Sequence, residues 1–233
     1  MGDNEGPAKQ QNQQPFNYHK WSNKNNDAVG GVLRGVIFRD SKQNLQGSSR
    51  CSSSSGGGWL NNFDVEQSLK SLAILVDSRE QPTKRAERRY SMFSCPWRRE
   101  KLDFGDYSAE CTLPSGERFT LAGKISIERK QNLDELAMCY TRERPRFIRE
   151  FDRAAAVKAK IYLLVENADW EKAYNGSYRS QVKPQSFTAS MIAWLARYNC
   201  QILMCKEETS GKLIHDILYR EMKEHLEGLS DDE

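Results

Sequence analysis

From Leu69 onward the chain alternates short apolar runs with segments whose apolar residues recur every three or four positions. "SLAILVD" is a continuous apolar run ending in a carboxylate at Asp77. "KIYLLVEN" repeats the form at Ile161 to Glu166, and "CQILMC" gives a third run at Gln201 to Met204. Runs without a polar alternation predict strands covered on both faces, as in a parallel sheet flanked by helices. Between the first two runs, "KLDFGDYSAECTLPSGERFTLAGKISIERK" predicts two strands joined at the turn "LPSGE", a β-hairpin inserted into that sheet. The fold class is therefore α/β with a mixed central sheet. Four helices are predicted around it. One runs from Asn132 to Tyr140, with Asn132 and Glu135 at capping-box spacing. The next shows a face of Phe147, Phe151 and Ala154 or Ala155. A third carries Phe187, Met191, Trp194, Leu195 and Tyr198. The last carries Leu213, Ile214, Ile217, Leu218 and Met222 and is closed by Gly228.

Composition divides the chain. Residues 1–66 include the amide-rich "KQQNQQPFNYHKWSNKNND" and the run "SSRCSSSSGGG", which cannot repay the entropy of ordering, so a disordered N-terminal tail is expected there. Within it, "GVLRGVIF" has the pattern of a short strand or docking segment. Residues 67–229 form the domain, and 230–233 an acidic end. The net charge of +3 is mild, so any attraction for phosphate must come from local clusters of Lys and Arg. Six cysteines without a CxxC pair and three histidines lack zinc spacing, and the scatter fits a reduced intracellular compartment. No stretch reads as a membrane span or a secretory signal, so no membrane partner is expected.

The stretch "KISIERK" carries the candidate chemistry. Side chains on a strand alternate between faces, so Ser126, Glu128 and Lys130 share one face, and Ile125, Ile127 and Arg129 the other. Antiparallel pairing in the hairpin brings Asp106, in "FGDYS", near Glu128. Two carboxylates beside an ammonium suit phosphodiester hydrolysis. The acids hold Mg²⁺, which takes hard oxygen ligands, and the lysine orients a metal-bound water or helps remove its proton. Asp77, at the carboxyl end of a central strand, is positioned as a third acid. Taken singly these signals are weak, since an isolated E-x-K at a strand end is usually a solvated ion pair of about 0–1 kcal/mol.

Three segments in order, "ILVDSRE" (74–80), "GDY" (105–107) and "ERKQNLDEL" (128–136), resemble the VDxRE, GDY and ERKxxxD signatures of the XPF-type nuclease domain. The likeness continues more loosely through "RPRFIREFDRA" and "SMIAWLARYNCQILMC", covering about residues 72–226. It implies a three-layer α/β/α restriction-endonuclease-like fold and a metal-dependent DNA endonuclease, acting on branched or flap DNA in repair or recombination. It implies a Mg²⁺ ion, replaceable by Mn²⁺, held by Asp106, Glu128 and the backbone carbonyl of Arg129. Lys130 would serve the attacking water, and Asp77 would serve a second metal. Arg79, Glu80 and Asp134 complete the signatures. Asp134 also fits a purely helical role, because a carboxylate in a first turn is favoured by the helix dipole. The helix-hairpin-helix module and helicase domains of some relatives have no counterpart in these residues. A helicase or other DNA-targeting partner is therefore expected, and a prokaryotic or phage cytoplasm suits the chain better than a nucleus.

Lys84, Arg85, Arg88, Arg89, Arg98, Arg99 and Lys101 form a basic stretch, and Arg142, Arg144, Arg146 and Arg149 a second. Flanking a metal site, such groups suit DNA phosphates. The residues expected to touch DNA are Arg79, Arg98, Arg99, Arg142, Arg144 and Arg146. The helix over 187–198 has a second apolar line at Ala189, Ile192 and Ala196, which fits either a homodimer or heterodimer contact or burial within one copy. A nucleoside-triphosphate enzyme is disfavoured because Ile125 stands where a P-loop needs Ser or Thr. A nucleophile triad lacks a suitably placed histidine. A catalytically inactive DNA-binding or scaffold subunit that positions a partner nuclease is the main alternative.

Overall fold

The computed structural model describes residues 60–229; the acidic end and all but the last few residues of the expected tail lie outside them. In chain order the elements are α1 (Asn62–Lys70), β1 (Ala73–Asp77), α2 (Lys84–Tyr90), β2 (Trp97–Glu100), β3 (Tyr107–Thr112), β4 (Arg118–Thr120) and β5 (Ile125–Lys130). There follow α3 (Leu133–Tyr140), α4 (Arg144–Ala156), β6 (Lys160–Glu166), α5 (Trp170–Asn175), α6 (Pro184–Arg197), β7 (Cys200–Cys205) and α7 (Glu207–Gly228). The strands form one sheet in the order β2-β1-β3-β5-β6-β7, with β4 paired to β3. β1, β2, β5, β6 and β7 run one way, and β3 lies antiparallel between β1 and β5.

The three apolar runs become β1, β6 and β7. Their alternate residues feed two cores. On one face Ile74, Val76, Ile125, Ile127, Tyr162 and Leu164 pack with α1, α2 and α7. On the other, Ile161, Leu163 and Val165 pack with α3, α4, α5 and α6. The layers are thus α/β/α around a mixed sheet, as expected. The second core is aromatic: Trp194 stacks on Phe147 at 5.2 Å and meets Tyr140 and Phe151 edge-on. Truncating such a buried ring costs about 3–5 kcal/mol.

Several boundaries move. Helix α1 starts at Asn62, inside the segment assigned to the tail, because Asn61 and Asp64 form a reciprocal capping box and Val65 and Leu69 are buried. The hairpin's return strand is broken: β4 pairs β3 for three residues, a turn follows, and β5 then meets β3 at the single pair Tyr107↔Ile127. The capping box expected at Asn132 is half formed. Asn132 caps the Glu135 amide, while Glu135 reaches the amide of Gln131 instead. Gly228 is the last residue of α7 and not a left-handed stop. The pattern also missed β2, because "WRRE" is a polar edge strand, and α5, a short helix capped by Asp169 and ended by Gly176 in the left-handed region.

Candidate active site

Where β3 has not yet begun and β5 is ending, Asp106 takes the place of the missing strand. Its amide donates to the Ile127 carbonyl at 2.8 Å, and its Oδ2 accepts the Arg129 amide at 2.7 Å, the next position on that ladder. Gly105 makes this entry feasible. Its φ is +72°, and a Cβ there would fall 1.8 Å from the Ser126 hydroxyl oxygen. Strand alternation then sets the rest. Glu128 and Lys130 project to the α3/α4 side and form an ion pair, and Lys130 also lies 4.0 Å from Glu135. Arg129 projects to the opposite side.

A cleft of about 560 Å³ opens over these groups. Asp77, Asp106, Glu128 and Lys130 line it, with Arg79, Arg146, Arg149 and Arg153 among its walls. The floor is acidic and the rim basic. Burial, and then the neighbouring Glu128, push the Asp106 carboxyl up to about 8. Burial raises Glu128 to about 7 despite Lys130, with Glu150 adding to the rise. Burial alone would lower the Lys130 ammonium, but the adjacent Glu128 and Asp106 carboxylates outweigh it and hold the lysine protonated well above its ordinary range. Beside these two carboxylates the ammonium form of Lys130 is favoured, a form that can orient an oxygen or offset developing negative charge.

Among the described residues, no group of three or more His, Cys, Asp or Glu side chains is arranged to cage a metal ion. Asp106 and Glu128 instead present two hard oxygen donors in an open cleft. That set fits Mg²⁺, which keeps several waters and is commonly bound by one or two carboxylates together with substrate phosphates.

The other predicted residues are placed less uniformly. Both oxygens of Asp77 are engaged, Oδ2 by Arg79 at 2.5 Å and Oδ1 by the Leu102 amide at 3.2 Å, so Asp77 anchors the cleft wall. Arg79 is fixed between Asp77 and the Leu102 carbonyl, with its side chain half exposed at the cleft. Glu80 turns toward Arg89 at 3.5 Å and Arg129 at 3.7 Å. Asp134 does not line the cleft; it accepts the amides of Arg179 and Ser180 at 2.6 and 2.9 Å and pins the α5–α6 loop. Of the arginines expected to meet DNA, Arg79 and Arg146 line the cleft, whereas Arg98, Arg99, Arg142 and Arg144 do not. Arg98 is held by Glu110 and Glu100 on the strand that ends the sheet. Arg89 is buried against Glu166 at 3.0 Å, so it is no surface phosphate contact. Sequence reading overlooked Glu150 and Arg153. Glu150 accepts the Gly105 amide at 2.9 Å and is among the neighbours that push the Glu128 carboxyl up. The usable signal was the spacing of Arg146, Glu150 and Arg153, one polar helix line bordering the apolar face of Phe147, Phe151 and Ala154.

Comparison with known proteins places this geometry in a lineage. The family model for the ERCC4 domain matches residues 76–217, more than half of the chain. No curated protein matches. Among solved structures, XPF from Aeropyrum pernix aligns at 18% identity and a TM-score of 0.47, covering 64% of this chain and 61% of that one. XPF from Aeropyrum pernix in complex with DNA aligns at 19% identity and a TM-score of 0.47, covering 66% of each chain. The chain thus spans less than two thirds of the length of these relatives.

Proposed function

The chain belongs to the ERCC4 domain family, and on that premise we propose that it is a Mg²⁺-dependent endonuclease that hydrolyses phosphodiester bonds in DNA. The observation that carries this reading is the convergence of Asp106, Glu128 and Lys130 in one cleft with an acidic floor and a basic rim. Asp106 and Glu128, with the Arg129 carbonyl beside them, would hold the cation. When bound, the cation polarises a phosphoryl oxygen and lowers the pKa of a coordinated water. The protein's own groups do the rest. Arg79, Arg146 and Arg149 at the rim are suited to backbone phosphates, which position the substrate without reading sequence. Lys130, protonated, donates hydrogen bonds to the attacking oxygen or the scissile phosphate and offsets the charge that grows in the transition state. Asp77 holds Arg79 in place and, as a third acid lining the cleft, would serve a second metal.

Selectivity for branched or flap DNA, a role in repair or recombination and a DNA-targeting partner belong to the same proposal. So does pairing through α6. There Ala189, Ile192 and Ala196 are exposed, Ile192 at 48%, while Phe187, Met191 and Trp194 are buried. An exposed apolar line opposite a buried one supports a partner contact over burial within one copy.

The test is cleavage of flap, fork, duplex and single-stranded DNA in Mg²⁺ or Mn²⁺ by the wild type and by Asp106→Asn, Glu128→Gln and Lys130→Met. Loss of cleavage in all three, with DNA binding and folding retained, is expected. DNA binding without cleavage by the wild type would favour the scaffold reading. Ile192→Glu should shift a sedimenting dimer to monomer; a wild type that stays monomeric at high concentration removes the pairing.

A further inference from the structure

Next to the catalytic acids, toward α2 and α7, lies a set of charges that the hydrolytic scheme does not use; its members Glu80, Arg89 and Arg129 line the same cleft. Arg89 of α2 is 2% exposed and Glu166 of β6 is 0% exposed. Arg89 Nε donates to Glu166 at 3.0 Å, and its Nη1 donates to the Tyr107 hydroxyl at 3.0 Å and to Glu80 at 3.5 Å. Tyr107 in turn donates to Glu80 at 3.3 Å. Arg129 Nη1 donates to the other oxygen of Glu166 at 3.1 Å, and Arg129 lies 3.7 Å from Glu80. Two guanidiniums and two carboxylates are thus balanced, and five chain segments are tied to one another: the β1–α2 loop, α2, β3, β5 and β6. The arrangement needs α2 to sit unusually close to α7. A Cβ at Gly211 of α7 would lie 2.3 Å from the Arg89 carbonyl oxygen.

Buried charge is expensive to desolvate, and an apolar set of similar volume commonly stabilises a fold as well or better. Strength alone therefore does not explain four charges gathered here, Arg89 and Glu166 fully buried and Glu80 and Arg129 partly so, with Arg129 and Glu166 on strands whose neighbouring positions are Ile125, Ile127, Tyr162 and Leu164. Position does. The residue clamped by Glu166 is Arg129, whose amide holds Asp106 Oδ2 on the other side of the same strand. We infer that Glu166 and Arg89 are positioning residues: by fixing the Arg129 side chain on the back of β5, they fix the Arg129 amide and, through it, the Asp106 carboxylate at the front. The chemistry of metal-ligand support is similar, since partners that orient a ligating carboxylate typically carry a 10–100-fold share of affinity or activity. The inference rests on the nuclease reading for its consequence in catalysis, but not for its geometry.

The experiment uses the full chain with Glu166→Gln, which keeps shape and removes one charge, and with the paired change Arg89→Met/Glu166→Leu, which removes both. Amide hydrogen exchange is followed by NMR without metal or DNA, and DNA cleavage is followed separately. The expected result is at least tenfold faster exchange at the Arg129 amide, with the Leu218 amide of α7 unchanged. A kcat at least tenfold lower with KM within about threefold should accompany it. Unchanged protection at Arg129, or faster exchange spread equally over all core amides, overturns the inference and leaves the cluster with a structural role only. If the wild type does not cleave DNA, the nuclease reading fails, while the exchange result still decides whether these residues position Asp106.

Discussion

Substituting Gly105 by alanine isolates the device that delivers Asp106 to the cleft. The backbone there has φ +72°, and the added methyl would meet the Ser126 hydroxyl oxygen at 1.8 Å, the Ser126 Cβ at 2.9 Å and the Ile127 carbonyl oxygen at 3.2 Å. Ser126 cannot easily retreat: it is 1% exposed, and its hydroxyl lies within hydrogen-bond distance of the carbonyls of Phe104 and Tyr107, at 3.0 and 3.2 Å. A left-handed alanine costs about 1–2 kcal/mol, and forcing one extra carbon into a filled space costs about 1–3 kcal/mol. The sum is about 2–5 kcal/mol, a large part of the 5–15 kcal/mol typical of a domain. In urea unfolding with a slope of about 2 kcal/mol per molar, the midpoint should fall by about 1–2.5 M. Adding Ser126→Gly removes both side-chain clashes but not the φ penalty, so a double-mutant cycle should return about 1–3 kcal/mol of coupling. A Gly105→Ala midpoint within 0.3 M (an order-of-magnitude margin) of the wild type, or no coupling with Ser126, would refute the steric argument.

Other expectations follow from the same coordinates. Asp106 and Glu128 titrate higher in the fold, at about 8 and about 7, than in the unfolded chain, so the native state binds more protons between roughly pH 4 and 8 and their net effect is to lower stability as pH rises through that window. Asp106→Asn should therefore gain thermal stability relative to wild type on going from pH 5 to pH 8; a difference that is flat or shrinks with pH contradicts this. For DNA affinity, Arg146→Ala and Arg149→Ala should each weaken binding and reduce the slope of log K against log salt by about 1, whereas Arg98→Ala, away from the cleft and paired to Glu110 and Glu100, should leave both unchanged. Asp134→Ala removes the acceptor for two loop amides and should increase proteolytic nicking between α5 and α6, with cleavage of DNA retained; lost cleavage in a folded variant would return Asp134 to the catalytic set.

Where one interaction dominates a residue's position, the sequence was readable. The uninterrupted apolar runs gave strands, β1 and β6 buried on both faces and the edge strand β7 only partly covered, and the period of two in "KISIERK" put Glu128 with Lys130 before any coordinates did. What escaped reading depended on contacts distant along the chain. Glu166 ends an apolar run as a surface carboxylate would, and Arg89 and Arg129, 77 and 37 positions away, together explain its burial. Arg89 sits in a basic stretch read as a surface for DNA phosphates, yet α2 turns that side chain inward. The charges of "WRRE" hid an edge strand whose Arg98 and Glu100 are paired to Glu110 on β3 and Arg118 on β4. Asp134 matched a signature by spacing, but its partners are backbone amides 45 and 46 residues on, which no local pattern records.

The two faces of β5 have a consequence for how the protein tolerates insertion and deletion. Sliding this strand by one residue would turn the Arg129 side chain toward α3 and α4, where Glu128 and Lys130 now pair, and drive Glu128 and Lys130 into the space that Arg89 and Glu166 fill. Both sides of the sheet would then carry mismatched charge at once. The alternation therefore proofreads itself: a misregistered β5 meets electrostatic rejection front and back, and a working cleft coincides with the one alignment that the interior accepts.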